Sequence, residues 1–213
     1  MTETKVRILD AAEKLIAEQG LDVSLRAITS AAGVNLAAVN YHFQSKDALI
    51  DAIVARRIEP VNALRLQMLE ALEQEAGDGG LPLEGVLRAL LAPLTEMDAS
   101  GLEHVRALTG RLYSVPEEFI QRVFEGHLAP VAARFIDALG RAIPILSPEQ
   151  RMWRLMFTVG ALIHVLNWSS VLPRISNGLV DPSDSKTFTE QLIAFCAAGF
   201  RASEDRELEP THA

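Results

Sequence analysis

The sequence predicts an all-α protein built from a small N-terminal helical domain, residues 1–50, and a larger helical domain, residues 51–213. Hydrophobic residues make up 49% of the 213 residues, which is enough to form a sizeable core. Ala, Leu, Glu and Arg are frequent and runs of β-branched residues are scarce, a composition that favours helices. Apolar residues also recur at helical spacing along most of the chain.

The N-terminal domain is predicted to contain three short, closely spaced helices. Val6–Gln19 has one apolar face, and Gly20 follows as a helix stop. Ser24 is a good N-cap for a second helix that ends at Gly33. Asn35 then caps a third helix. Three short helices with a Gly-containing turn between the second and third form a helix-turn-helix arrangement.

The third helix has a predicted inner and outer face. We expect Leu36, Val39 and Phe43 to point inward. The outward positions are then Ala37, Ala38, Asn40 and Tyr41. Small outward side chains let a helix lie close to the base edges in the major groove of B-DNA, and Asn40 could pair with adenine there. The alternative is that Asn40 and Tyr41 are ordinary surface residues.

The net charge of the whole chain argues against nucleic-acid binding, but the charge of one N-terminal segment does not. The formal net charge is −8, whereas proteins that bind nucleic acid are usually basic. Residues 28–46 nevertheless contain no Asp or Glu, and Arg26 and Lys46 are the only charged residues from Ser24 to Lys46. The acidic excess therefore lies outside this segment.

Residues at the edges of the segment could hold phosphates. Tyr41, His42 and Lys46 lie at the far end of the third helix, where a DNA backbone would run. The helix N-termini at Ser24 and Ser45 offer backbone N–H groups to phosphate oxygens.

The region from Thr2 to about Asp51 resembles the DNA-binding domain of the TetR family of transcriptional regulators. The resemblance is carried by "RILDAAEKLIAEQG" and "AAGVNLAAVNYHFQSKDALI", in which Tyr41, Phe43 and Lys46 match the Y-x-F pattern with its following Lys. Thr29 departs from the Ala common at that position. The resemblance implies that one set of residues reads double-stranded DNA or holds its phosphates: Ser24, Arg26, Asn35, Leu36, Ala37, Ala38, Asn40, Tyr41, His42 and Lys46.

The larger domain is predicted to contain long helices. Their expected spans are Lys46–Ala76 with Pro60 as a kink, Leu83–Met97, Leu102–Tyr113, Pro116–Ala142, Pro148–Val171 and Ser183–Ala202. Ser147 and Gln150 form a capping box with Pro148 at the first helical position. The segment "PRISNGLVDPS" is predicted as the longest loop.

The last two long helices are the predicted dimer interface. The resemblance implies dimerisation there, and Pro148–Val171 is apolar nearly all round. A helix of that kind must be buried on every side, one face by its own core and another by a partner chain. The alternative is a monomer with a deep core, but a single helix-turn-helix makes few base contacts and usually binds DNA together with a second copy in a dimer.

The resemblance also implies a small effector bound by the larger domain. The candidate effector residues are Met97, His104, Leu108, Arg111, Leu112, Phe124 and Phe157. Short matches in "MWRLMFTVGAL" and "TEQLIAFCAAGFRA" resemble the fatty-acid-responsive branch of the family, which implies a hydrophobic effector such as a long-chain fatty acid or acyl-CoA. The histidines show no metal-ligand spacing, so no metal or cofactor is expected.

Several features bear on compartment. The lone Cys196, in an apolar context, is predicted to be a buried inert thiol and fits a cytoplasmic protein. The N-terminal residues form no signal-peptide core. Residues 155–172 lack charged side chains and approach the length of a membrane span, but polar residues interrupt them. We expect a buried core helix and no membrane contact.

The sequence favours a dimeric, ligand-responsive repressor that binds a palindromic operator. One alternative is a helical lipid carrier or enzyme without DNA binding, although no nucleophile stands near a base and orienting partner in the sequence. Another is a co-regulator whose helix-turn-helix binds protein.

Overall fold

The structure is a computed structural model and describes residues 2–97, 101–102, 106 and 117–202. The described part of the chain is helical and contains no strand, which confirms the all-α prediction. Its helices are α1 Glu3–Gln19, α2 Leu25–Ala32, α3 Leu36–Phe43, α4 Lys46–Ala76, α5 Leu83–Thr95, α6 Glu117–Val123, α7 Ala129–Ala142, α8 Pro148–Trp168, α9 Leu172–Ile175 and α10 Ser185–Arg201. A π-helical turn, Phe124–Leu128, joins α6 to α7.

The chain forms two compact units that each combine distant parts of the sequence. The first contains Met1–Leu64 and Met97–Ala132, and the second contains Arg65–Glu96 and Ala133–Ala213. The chain therefore passes between the two units three times: inside α4, between Glu96 and Met97, and inside α7. This division by compactness differs from the predicted division at residue 50, because it groups the start of α4 and residues 97–132 with the N-terminal helices.

The core of the first unit is a buried apolar cluster shared by four helices. The members include Ile8, Leu9, Ala12 and Ile16 of α1, Ile28 of α2, Val39 and Phe43 of α3, and Leu49, Ile50 and Ile53 of α4. The α1 members follow helical spacing and form the apolar face that the sequence predicts. Phe119 of α6 is partly buried against the same cluster.

Side-chain caps define the helix-turn-helix. The Ser24 hydroxyl accepts a hydrogen bond from the N–H of Ala27 at 3.1 Å, and Asn35 Oδ1 accepts from the N–H of Ala38 at 2.9 Å. Both predicted N-caps are thus confirmed, and each satisfies an N–H that the first turn of a helix leaves free. Gly33 ends α2 with φ +63°, in the left-handed region that favours glycine.

In the second unit, α5 packs against α10, which also contacts α8. The buried side chains of the second unit include Leu87 and Leu91 of α5, Phe135 and Leu139 of α7, Leu155 and Leu162 of α8, and Leu192, Ile193 and Phe200 of α10. The buried hydroxyls of Thr95 and Thr189 are 2.6 Å apart and link α5 to α10. Ser147 and Gln150 form the predicted capping box at the start of α8.

Some helix bounds differ from the sequence-based ones. Leu83–Met97 ends two residues earlier, at Thr95, and Pro148–Val171 ends at Trp168. The predicted loop after it contains the short helix α9, where Pro173 occupies the first turn, a position that proline tolerates. The predicted helix Pro116–Ala142 is interrupted by the π-helical turn. The predicted helix Leu102–Tyr113 lies almost wholly outside the described residues.

Within the described ranges, no helix has both the length and the apolar character needed to cross a membrane.

Candidate nucleic-acid interface

The inner face of α3 consists partly of other residues than the sequence predicts. Val39 and Phe43 are buried as expected, but Leu36 is 40% exposed and Ala38, expected outside, is half-buried against the core. Leu36 is the first residue after the cap, and Val34 packs partly on the core just before it. The two buried residues are one turn apart, so the inner stripe lies towards the C-terminal end of α3. The inward placement of Leu36 was wrong.

The outward side of α3 forms a continuous exposed surface, which we call the reading face. It consists of Asn35, Leu36, Ala37, Asn40 and Tyr41. The helical members are neighbours because positions 36, 37, 40 and 41 share one side of an α-helix. Tyr41 is 84% exposed, and the exposed Asn40 amide is positioned away from the core. A small residue, an amide and a phenol on one exposed face can approach base edges and the DNA backbone together.

Further polar groups lie around the reading face. His42 is half-buried, and its ring meets that of Tyr41 edge-on, with centroids 5.0 Å apart. Ser24 and Arg26 are exposed at the start of α2, and Lys46 is half-buried at the start of α4. The Ser45 hydroxyl accepts a hydrogen bond from the N–H of Ala48 at 3.0 Å. This cap satisfies one N–H of the first turn of α4, and the earlier N–H groups there can serve a phosphate.

The structure adds Gln44 to this surface, which sequence reasoning missed. Gln44 is exposed between α3 and α4 and has φ +66°, in the left-handed region. A helix end of that conformation is normally Gly or Asn, so a glutamine gives no sequence signal for it. Lys5 of α1 is also close, with its ammonium 5.4 Å from the centre of the Phe43 ring. A cation on this ring adds positive charge at the end of α3.

The second unit carries an exposed apolar surface on α8 and α10. We call it the apolar face, and it consists of Met152, Trp153, Met156 and Phe157 of α8 and Phe195 of α10. Phe157 and Phe195 are 65% and 72% exposed. Trp153 and Phe157 stack with ring centroids 5.8 Å apart. A Cβ added at Gly160 or Gly199 would meet nothing within 4 Å, so both glycines leave open space on the surface. Large exposed apolar surfaces of this kind mark interaction sites.

The candidate effector residues are only partly described. Met97 is half-buried, Phe124 lies in the π-helical turn with an exposed ring, and Phe157 belongs to the apolar face. Neither phenylalanine ring is enclosed by its own chain. The other candidates, His104, Leu108, Arg111 and Leu112, lie outside the described residues.

Comparison with protein families decides the assignment. Residues 8–53, which contain α2 and α3, match the model of bacterial regulatory proteins of the tetR family. Residues 88–199, more than half of the chain, match the model of the tetracyclin repressor-like C-terminal domain. The chain belongs to the TetR family of transcriptional regulators. No curated protein matches its sequence with significance.

Solved structures of other regulators share the fold. NalD of Pseudomonas aeruginosa, the secondary repressor of the MexAB-OprM multidrug efflux pump, is 23% identical, with 92% of this chain and 95% of NalD covered and a TM-score of 0.65. FadR of Bacillus halodurans, a fatty acid degradation regulator, is 16% identical, with coverages of 95% and 99% and a TM-score of 0.60. HlyIIR, a hemolysin II transcriptional regulator, is 16% identical, with coverages of 91% and 96% and a TM-score of 0.60. At these identities the likeness concerns the fold.

Proposed function

We propose that this TetR-family regulator is a homodimeric repressor that binds a palindromic operator through α3 and leaves it when a small hydrophobic effector binds. The observation that carries the proposal is the reading face, a surface without acidic residues on a short helix whose other side is locked into the core. That arrangement suits a helix that enters the major groove.

Asn40 is the proposed base-reading residue. The carboxamide of an asparagine can donate a hydrogen bond to adenine N7 and accept one from the N6 amino group at the same time. Asn40 is exposed near the middle of the reading face. The Ala37 methyl can contact a thymine methyl while keeping the helix close to the bases. Ser24, Arg26, Tyr41, His42 and Lys46 are the proposed phosphate contacts, which set the register of the helix in the groove.

The apolar face supports the proposed dimer. Its five large side chains are 45–72% exposed, so burial against a second copy would contribute a part of the about 1.5–3 kcal/mol that full burial of such a side chain gives. Open space at Gly160 and Gly199 allows a close approach of the partner. A two-fold dimer presents two copies of α3, and these fit half-sites about one helical turn of DNA apart or a multiple of it.

The proposed effector is a small hydrophobic molecule, with a long-chain fatty acid as the first candidate. The named function of FadR of Bacillus halodurans makes fatty acids the first compounds to test. An effector can release DNA only if it binds better to a conformation that fits the operator poorly. A CoA ester needs basic surface at the mouth of its pocket, which an acidic chain supplies poorly, so the free acid is the better candidate.

Selection from a random DNA library tests the operator proposal. The purified chain is expected to enrich one sequence made of two inverted half-sites, because a two-fold dimer reads both strands alike. Enrichment of a single unpaired half-site would remove the dimeric mode of reading. Recovery of no sequence preference would remove operator binding itself.

A further inference from the structure

The segment from α6 to the π-helical turn is tied to α4 by three polar contacts, two at the start of the helix and one near its middle. Arg122 Nη1 lies 3.2 Å from Asp47 Oδ2, and His127 Nε2 lies 3.2 Å from Asp51 Oδ1. Asn62 Nδ2 donates to the backbone oxygen of His127 at 2.8 Å. Residues 47, 51 and 62 share one side of α4, because separations of four and eleven residues are close to whole helical turns. We call these three contacts the α4 latch.

The latch holds a part of α4 that is itself fixed to the helix-turn-helix. Leu49, Ile50 and Ile53 belong to the same buried cluster as α1, α2 and α3, so this part of α4 shares one core with the helix that carries the reading face. The His127 side chain is only 11% exposed, and Asn62 is buried. Arg122 also lies over the ring of Phe119, 5.5 Å from its centre, and Phe119 packs on the same cluster.

The π-helical turn explains how both side chains reach α4. Arg122 and His127 are five residues apart, and in a regular α-helix such residues point about 140° apart. A turn with hydrogen bonds from i to i+5 is wider and brings residues five apart closer to the same side. The π-helical turn at Phe124–Leu128 therefore lets one face of the segment present both groups to α4. Such turns often occur at functional positions.

Chain connectivity gives the latch a consequence for DNA reading. The unit that holds the reading face is joined to the other unit at three points of the chain: inside α4, between Glu96 and Met97, and, after the latched segment, inside α7. With the latch closed, both helices constrain the reading face. With the latch open, α4 constrains it without help from the segment that leads into α7.

We infer that Arg122 and His127 are positioning residues that fix the reading face through Asp47 and Asp51, and thereby set the spacing between operator half-sites that the dimer accepts. This inference rests on the proposed operator-binding dimer. None of the latch residues needs to touch DNA for this role.

Spacing preference is the property to measure. Half-sites from the selected operator are placed at the selected separation and at separations one and two base pairs shorter or longer, and binding of each DNA is measured for the wild type and for Arg122→Gln/His127→Ala. The wild type is expected to favour one separation. The double variant is expected to bind the best DNA about five- to tenfold more weakly, because two side-chain contacts that fix the reading face are lost, and to accept neighbouring separations almost equally.

Matched variants separate positioning from general destabilisation. Arg88→Gln removes an exposed arginine–carboxylate pair of similar exposure, Arg88–Glu190 at 2.6 Å in the other unit, and should leave the spacing profile unchanged. Arg122→Lys keeps the charge facing Asp47 and should retain the wild-type profile. Arg122→Gln alone gives a milder form of the double variant if the latter folds poorly.

A loss of stability alone would lower binding to every separation by one factor and leave the shape of the profile intact. That result, or an unchanged profile in both latch variants, would overturn the inference. Failure of the proposed function appears differently, because the wild type itself would then bind without sequence preference or without dependence on half-site separation.

Discussion

Asn40 and Lys46 differ in the part of the operator that each would contact. Asn40→Ala is expected to cost about 1–3 kcal/mol on the best site and to relax the preference at one base pair, because a base-specific pair is lost. Lys46→Ala is expected to weaken all sequences alike and to reduce the salt slope by about one unit, because a phosphate contact is lost. Binding to a panel of operator variants at several salt concentrations checks both. An unchanged ranking of the panel for Asn40→Ala would contradict its base-reading role.

Gly33 is expected to be less replaceable than Gly77, although both have left-handed φ angles. A Cβ at Gly33 would lie 2.8 Å from Arg7 Nη2, which donates to the carbonyl oxygens of Ala32 and Gly33, whereas a Cβ at Gly77 would meet nothing. Gly77→Ala should therefore cost the left-handed strain of about 1–2 kcal/mol. Gly33→Ala should cost about 1 kcal/mol more, because hydrogen bonds of Arg7 are disturbed. Denaturant unfolding of the two variants checks the difference, and equal losses would contradict it.

Cys196 is expected to react slowly in the native protein. Burial raises the pKa of its thiol, and a hydrogen bond with Thr158 offsets part of this effect. The thiolate fraction at pH 8 is then smaller than for a free thiol, and access is restricted, so labelling with a disulfide reagent should be at least about tenfold slower than in denaturant. Cys196 is the only cysteine of the sequence, so all labelling by the reagent reports on this one thiol. Equal rates in the two conditions would contradict its buried position.

At the residue scale, the sequence predicts local geometry better than exposure. Ser24, Asn35 and Ser147 are recognisable caps because their short polar side chains favour that role wherever a helix follows. The exposure of Leu36 was not predictable in this way, since it depends on how α3 packs against the other helices of the unit. Gln44 was not predicted as part of this surface, because glutamine is unusual at a helix end with a positive φ angle.

At the element scale, α8 and α10 are expected to dimerise through the apolar face. Phe195→Asp places a charge in the proposed interface and should shift the protein from dimer to monomer, because a buried unpaired carboxylate is costly. Ile145→Asp is the control, since Ile145 is 90% exposed but lies in the loop before α8. Light scattering should give about 23 kDa for the first variant and twice that mass for the control and wild type. A dimeric Phe195→Asp protein would contradict this interface.

The helices themselves were largely predictable, and their irregularities were not. The apolar spacing of α1, α5, α8 and α10 has the period of an α-helix, so their existence followed from sequence. The π-helical turn at Phe124–Leu128 has no distinctive residue pattern, because its wider turn is stabilised by contacts such as His127 with Asp51 that lie far apart in sequence. The outer face of α8 is a further case in which the sequence is not sufficient. Periodicity identifies its apolar residues but does not say which partner covers them.

At the scale of the whole molecule, operator release should depend on the length of a fatty acid effector. Each buried CH₂ contributes about 0.8 kcal/mol, so potency should rise by about fourfold per methylene for as long as each added methylene is buried. Displacement of labelled operator by a series of saturated acids from short to long checks this, with primary alcohols of matched length as the control for the carboxylate. Release that does not depend on length, or no release at all, would contradict a fatty acid effector while leaving operator binding intact.

The distribution of the chain between its two units was beyond sequence reasoning. A boundary near residue 50 follows from the end of the helix-turn-helix pattern, whereas the compact unit that holds the N-terminal helices also includes Met97–Ala132, from which Phe119 packs on the core. Such contacts leave no periodic trace in the sequence.

Operator binding by two chains is the central claim, and fluorescence anisotropy of labelled DNA tests it most directly. The measurement compares the selected operator with a DNA of the same composition whose half-sites are scrambled, at several salt concentrations and with the stoichiometry determined at saturation. We predict two or a multiple of two chains per operator, affinity at least about 10³-fold higher for the operator, and binding to both DNAs that falls as salt rises. Equal affinity for the two DNAs at every salt concentration would contradict the account.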